Sequence, residues 1–290
     1  MAAEAAAFFD LDRTLMEGSS AFQFGRAAYK AGLMSRRRLV ADAIANLRFR
    51  LRGATDEDTN QLRDRISKSL AGVRVRDLER LGASELAGVL PRIYPEVLAI
   101  AHRHQDEGRR VYIVTAAAGD LAEMLARVLA LDGGIGSQFS GVLDGVYTGR
   151  PEGLFIYGAG KATAIEQLAR ERNLDLAASY AYSDSVSDLP MLRAVGHPVV
   201  VNPDRELATL ARAEGWDVLR LDHLSRRLKG AALLAGAAAA GGAGTAALAA
   251  RTRQRRPAVR GRATRHALAE RVPRAPRRLL PPVRGRRPWT

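Results

Sequence analysis

The sequence predicts an α/β fold, a doubly wound parallel sheet with an inserted α-helical domain. Three observations predict it. Short apolar runs alternate with helical stretches through the second half of the chain. An all-helical block separates the first apolar run from the second and interrupts that alternation. Polar residues stand just past the ends of three apolar runs, where open α/β sheets bind their ligands.

Residues 5–10, "AAAFFD", read as a fully buried strand that reaches a loop at Asp10. From about 19 to 107 the pattern is helical and polar-faced: "SSAFQFGRAAYKAGL", "RRRLVADAIANLRFRL", "DEDTNQLRDRISKSLAG" and "VRDLERLGASELAGVL". Ser20 and Asp56 suit caps, and Gly32, Gly53 and Gly72 suit stops. "YPEVLAIAHRHQDEG" is a further helix, with Pro95 near its first turn. "RRVYIVTAA" is a second apolar strand ending at Thr115, and "GDLAEMLARVLAL" is a helix. "SQFSGVLDGVYTGR" alternates around Gly145 and Gly149 and reads as a β-hairpin. "GAGKATAIEQLARERNL" is a helix reached through a Gly-rich turn. "SYAYSDS" is a third strand, followed by the short helix "SDLPMLRAV". "HPVVVN" is a fourth strand, "PDRELATLARAEG" a helix, and "WDVLRL" a last short strand.

Charge is unevenly spread. The 290 residues carry a net charge of +14, but residues 251–290 hold 14 Arg, no Lys and one acid, Glu270. The first 250 residues hold 31 basic and 30 acidic side chains, so the part that folds is nearly neutral. That argues against a nucleic-acid-binding role for the folded domain. With no cysteine, disulfides, thiolate metal sites and cysteine nucleophiles are excluded. "MAAEAAAFFD" lacks a basic start and a long apolar stretch, so a cytoplasmic location is expected.

Asp10 and Asp12, Thr115, and Asp184 with Asp188 fall just past three strands. Alone, each piece has a plain reading: a cap or turn for Asp-x-Asp, a strand-end hydroxyl for Thr115, a capping loop for "SDSVSD". Together they would converge at one sheet edge. Four carboxylates in one crevice need a cation, most simply Mg²⁺, which could also hold a phosphate. Lys161 adds to this. The first 250 residues use only four Lys, yet one sits at a Gly-rich helix start, where an anion is favoured and a cation needs one to meet.

These four segments, in this order, resemble the motifs of the haloacid dehalogenase superfamily of phosphatases, in the branch similar to phosphoserine phosphatase. "FDLDRTL", "IVTAA", "GAGKATAI" and "YSDSVSDLPML" correspond to its four motifs, and the hairpin "DGVYTG" also fits. The resemblance spans about residues 5–222. It implies a Rossmann-like core at 1–18 and 108–225, with a helical cap at 19–107. It implies that Asp10 attacks phosphorus and forms an aspartyl-phosphate, with Asp12 as general acid and then base. Mg²⁺ would be held by Asp10, the Asp12 main-chain carbonyl and Asp184, with Asp188 fixing metal-bound water or completing the site. Thr115 and Lys161 would bind phosphoryl oxygens of a small phosphorylated metabolite or lipid phosphate. Two positions depart from that branch. Ser19 stands where its phosphoserine-specific members carry a Glu, and Thr115-Ala116-Ala117 replaces their Ser-Gly-Gly. The resemblance therefore implies phosphomonoester hydrolysis without implying phosphoserine as the substrate.

Two segments lie outside this core. Residues 226–250 include the uncharged "GAALLAGAAAAGGAGTAALAA", long enough to span a bilayer but mostly Ala and Gly, which suits a membrane helix or a linker. Residues 251–290, with six Pro and no sustained periodicity, are expected to be disordered. The alternatives to a phosphatase are a phosphotransferase, or a regulatory protein on a phosphatase scaffold that binds nucleic acid or membrane through this basic tail.

Overall fold

The computed structural model describes residues 3–37, 56–203 and 205–221. Six strands form one parallel sheet: β1 (Ala6–Phe9), β2 (Arg110–Ala118), β3 (Gly133–Ser137), β6 (Tyr180–Ser183), β7 (His197–Val201) and β8 (Asp217–Leu219). Their order across the sheet is β3-β2-β1-β6-β7-β8. β1 lies in the middle, and all four of its residues are buried, as strands covered on both faces must be. Its register pairs Phe9 with Ile113 on one side and with Tyr182 on the other. Continuing that register by one or two residues brings Asp10, Thr115 and Asp184 out at the same edge. The chain order reverses at β1, so this edge is also the topological switch point.

Strand alternation splits the core in two. On one face Ala7, Phe9, Val111, Ile113, Tyr182 and Val201 pack with Val97 and Ala101 of α5 (Pro95–Asp106) and Leu125 of α6 (Gly119–Val128). On the other, Phe8, Tyr112, Val114, Ala181 and Val200 pack with three helices. These are α7 (Ala159–Arg172), α8 (Leu189–Arg193) and α9 (Arg205–Glu214), through Ile165, Leu192 and Leu207. The doubly wound architecture is the one expected.

Between β1 and β2 the described helices are α1 (Ser20–Lys30), α2 (Asp56–Leu70), α3 (Val75–Glu79), α4 (Gly82–Val89) and α5. The stretch "VRDLERLGASELAGVL" divides into two short helices, α3 and α4, rather than one. Gly32 and Gly72 follow helices with positive φ, as helix stops do. The last helix of the block, α5, lies on the sheet itself, with Pro95 in its first turn. Gly53, most of "RRRLVADAIANLRFRL" and all of 226–290 lie outside the described residues. Among the described residues, no helix is long and apolar enough to cross a membrane.

The hairpin is present but short: β4 (Val142–Leu143) pairs antiparallel with β5 (Val146–Tyr147). Asp144 and Gly145, both with positive φ, make the turn. Edge strand β3 was not expected, because "GGIGS" has neither the bulk nor the alternation of a strand.

Candidate active site

The carboxyl edge of the sheet holds a cluster of buried charge. Asp10 follows β1 directly, and its N–H donates to the Tyr182 carbonyl at 2.9 Å, which ties the loop to β6. Lys161 is the third residue of α7, reached through Gly158 at φ +54 and Gly160, where any Cβ would strike the Phe155 carbonyl. This close approach is what the Gly-rich turn permits. It sends the Lys161 ammonium between two carboxylates, 2.5 Å from Asp10 Oδ1 and 2.7 Å from Asp188 Oδ2. All three side chains are buried. Asp188 closes a short 3₁₀ turn (Val186–Asp188) and also accepts from Ser183 Oγ at 2.6 Å. Asp184, equally buried, pairs with Arg13.

Asp12 is turned the other way. Its Oδ1 accepts from the Ser20 N–H at 2.7 Å and its Oδ2 from Ser19 Oγ at 3.0 Å, so it sits on the N-terminus of α1. Charge there is favoured by the exposed helix N–H groups. Ser20, expected as a cap, is the first residue of α1; the cap position is Ser19, whose hydroxyl serves Asp12 instead. Thr115 is buried on β2, and its Oγ1 accepts from the Ala117 N–H at 3.2 Å. The Thr14 hydroxyl, fully buried beside this loop, has no hydrogen-bond partner among the described residues.

Asp10, Lys161 and Asp188 are thus in direct contact. Asp184 and Asp12 act on Asp10 through their charge. Burial pushes the Asp10 carboxyl up to about 7 despite the pull of Lys161, and Asp188, Asp184 and Asp12 each push it further. Burial also raises Asp184, against the pull of Arg13. Burial lowers Lys161, but Asp10 and Asp188 outweigh it and hold the ammonium above its ordinary value. Acid exceeds base in this crevice.

Hard oxygen donors in such excess suit a divalent cation. Among the described residues no three His, Asp or Glu side chains form a cluster that could by itself hold a metal ion. The set implied for Mg²⁺, the Asp10 and Asp184 carboxylates and the Asp12 main-chain carbonyl with Asp188 beside them, consists of hard oxygen donors, and donors of that chemistry fit such an ion. Sequence reading missed Arg13, Ser183 and Glu85. Arg13 lies within "FDLDRTL" and Ser183 within "YSDSVSDLPML", so membership of those segments was the signal. Glu85 is buried on α4, and burial followed by the charge of Asp12 pushes its carboxyl up to about 8. Nothing in its local sequence marks it.

The family model for haloacid dehalogenase-like hydrolases matches residues 7–193, which span the whole cluster. The chain belongs to the haloacid dehalogenase-like hydrolases. This hydrolase is a phosphatase of that family. It is 36% identical to the inhibition of morphological differentiation protein of Streptomyces azureus, over 84% of this chain and 91% of that protein. It is 38% identical to phosphoserine phosphatase SerB1 of Mycobacterium tuberculosis (strain ATCC 25618 / H37Rv), over 87% of this chain and 82% of that one. A crystal structure of a protein with unknown function from Bordetella pertussis Tohama I has the same fold. It superposes with a TM-score of 0.65 at 28% identity, covering 75% of this hydrolase and 98% of that chain. The first of these names records a phenotype and the third no function, so neither bears on the substrate.

Proposed function

We propose that this phosphatase is a Mg²⁺-dependent phosphomonoester hydrolase that acts on a small phosphorylated metabolite or lipid phosphate through an aspartyl-phosphate. The observation that carries the reading is the buried contact of Asp10 with Lys161 and Asp188 at the switch point of the sheet. An Asp10 oxygen attacks phosphorus while the bond to the leaving oxygen breaks, and Asp12 donates the proton that oxygen needs. Asp12 then takes a proton from water as the water oxygen attacks the phosphoryl group. The bond to Asp10 breaks, and phosphate leaves. Thr115 and Lys161 hold the non-transferring oxygens, whose charge needs donors and cations around it. When bound by Asp10, the Asp12 carbonyl and Asp184, with Asp188 completing the set, Mg²⁺ supplies further neutralisation of that charge.

In this reading 19–107 supplies the cap. The start of α1 at Asp12 and the placement of α4 beside α1 support that role for its first helices, while α5 supports the sheet. A cytoplasmic setting suits such an enzyme, whether or not 226–250 tethers it to a membrane.

A phosphate-release screen over phosphorylated metabolites and lipid phosphates, with Mg²⁺ and with EDTA, tests the reading. Release is expected with Mg²⁺ and none with EDTA. Asp10→Asn should lower turnover more than a hundredfold, about 2.7 kcal/mol, because an amide is a poor nucleophile. If the variant keeps more than that, the covalent step is wrong.

A further inference from the structure

The loop that leads from Asp10 through Asp12 is tightly closed. The Leu15 N–H donates to the Asp10 carbonyl at 3.2 Å, and the Met16 N–H donates to the Leu11 carbonyl at 2.9 Å. Leu11, Thr14, Leu15 and Met16 are fully buried, so packing fixes the turn. Arg13 alone among Asp10–Met16 is exposed, and it holds φ +62. A glycine would take that conformation without steric cost. An arginine held there against that cost points to a role for its side chain.

Among the described residues, two cations pair with the acids of the crevice, and they are held differently. The Lys161 side chain is 4% exposed and is clamped between Asp10 and Asp188. The Arg13 side chain is 51% exposed, whereas the Asp184 side chain it meets is 6% exposed. One end of the guanidinium rests on a buried carboxylate, and the rest of the side chain stands half in water. An ion pair with one member so exposed contributes little to stability, so its guanidinium is free to leave.

Asp184 is also one of the carboxylates assigned above to Mg²⁺. A doubly charged ion on that carboxylate repels a guanidinium on the same group, strongly so where water is excluded. Lys161 is enclosed, so Arg13 is the cation that yields. The closed turn keeps Arg13 three residues from Asp10, the nucleophile of the reading above. A phosphoryl group on Asp10 therefore lies next to this turn, and a guanidinium binds phosphoryl oxygens through two parallel N–H groups.

Resting on the hydrolase reading, we propose that Arg13 is an exchangeable counter-ion: it holds Asp184, yields that carboxylate to Mg²⁺, and turns its guanidinium onto the phosphoryl group of the substrate. Metal and phosphate then bind as linked events. Phosphate gives the displaced guanidinium a new partner, and the metal releases that guanidinium for phosphate. Each therefore strengthens the binding of the other by the same factor.

Calorimetric titration of Mg²⁺ into the full chain, with and without inorganic phosphate, tests this without turnover, in salt that screens the Arg-rich tail. In the wild type, saturating phosphate should tighten Mg²⁺ binding by about twentyfold, within the usual range for coupled sites. Arg13→Gln removes the competing charge and should bind Mg²⁺ alone about tenfold more tightly than the wild type. In that variant the gain from phosphate should shrink to about fourfold or less, because no guanidinium is left to move. Arg13→Lys keeps a cation on the turn and should bind Mg²⁺ alone much as the wild type does. Mg²⁺ affinity that is equal or weaker in Arg13→Gln overturns the proposal, since the guanidinium would then orient Asp184 rather than compete for it. So does the absence of any gain from phosphate in the wild type, a result that needs no variant. Mg²⁺ binding to none of the three proteins would overturn the proposal and the metal of the hydrolase reading together. Equal Mg²⁺ affinities alongside Mg²⁺-dependent phosphate release would sink the exchange at Arg13 and leave that reading standing.

Discussion

Lys161 is one ammonium shared by two carboxylates, and Arg13 is one guanidinium on a third. Each cation lowers the cost of the acids it touches, but burial, with the charges of Asp188, Asp184 and Asp12 adding to it, still pushes Asp10 up. Arg13 holds its place in a left-handed conformation, at φ +62, which a non-glycine residue adopts only at some cost. Glu85 lies outside this balance, and its energy can be read from pH. Its carboxyl ordinarily titrates near 4.5, and burial with the Asp12 charge pushes it up to about 8 in the fold. A raised acid favours the protonated form, so its contribution is fully present below about pH 4.5 and is lost as pH rises through about 8. Glu85→Gln removes that slope. In the absence of substrate the variant should be more stable than wild type above pH 8, by on the order of 5 kcal/mol, with the gap closing towards pH 4.5. Urea unfolding at pH 5 and pH 8.5 measures it, and a gap that does not change with pH would contradict the burial of the charge. Asp10, Asp12, Lys161, Asp184 and Asp188 were legible because each sits where a strand or helix end makes its charge unusual. Glu85 was not, since in sequence it is one acid in "GASELAGV" and only the packing of α4 between two other helices buries it.

Elements were legible in proportion to how much of their signal was local. β1, β2 and β7 read as strands because each contains a continuous buried apolar run, as strands covered on both faces do, and α5 was marked by Pro95. β3 failed for a physical reason: three of its five residues are glycine, and the need for them is tertiary. A Cβ on Gly134 would strike the main chain of α6 at Ala122, and one on Gly136 would lie 2.7 Å from the Gly119 Cα. α6 lies against β3 at backbone contact, and the same helix starts just after the Thr115 segment and carries Met124 against α4. Gly134→Ala should therefore force α6 away from the sheet. The expected loss is on the order of 3 kcal/mol, read from the urea midpoint. Turnover should fall as well, because α6 borders Thr115. A loss below about 1 kcal/mol would mean that α6 can step back without strain.

At the scale of the whole molecule, catalysis and net charge belong to different parts of the chain. Every residue assigned to chemistry lies before position 189, and the described sheet closes with β8 at Leu219. Residues 251–290 supply +13 of the net +14, all of the basic part as Arg. A polybasic segment of that kind binds polyanions by neutralising their charge, a sequence-independent attraction that salt weakens by counterion release or screening. Any affinity of the full chain for DNA or anionic vesicles should therefore fall steeply between 50 and 200 mM salt, a window of about that width being the usual one. Ending the chain at residue 250 should abolish that affinity and leave Mg²⁺-dependent phosphate release within about twofold of the full chain, a difference below about 0.5 kcal/mol. The two measurements are independent. Retained vesicle binding in the shortened chain would move the attachment to 226–250, as a membrane helix would. Lost turnover with an unchanged circular dichroism spectrum would mean that the tail reaches the crevice around Asp10, where an Arg side chain would add to the cations that Lys161 and Arg13 supply.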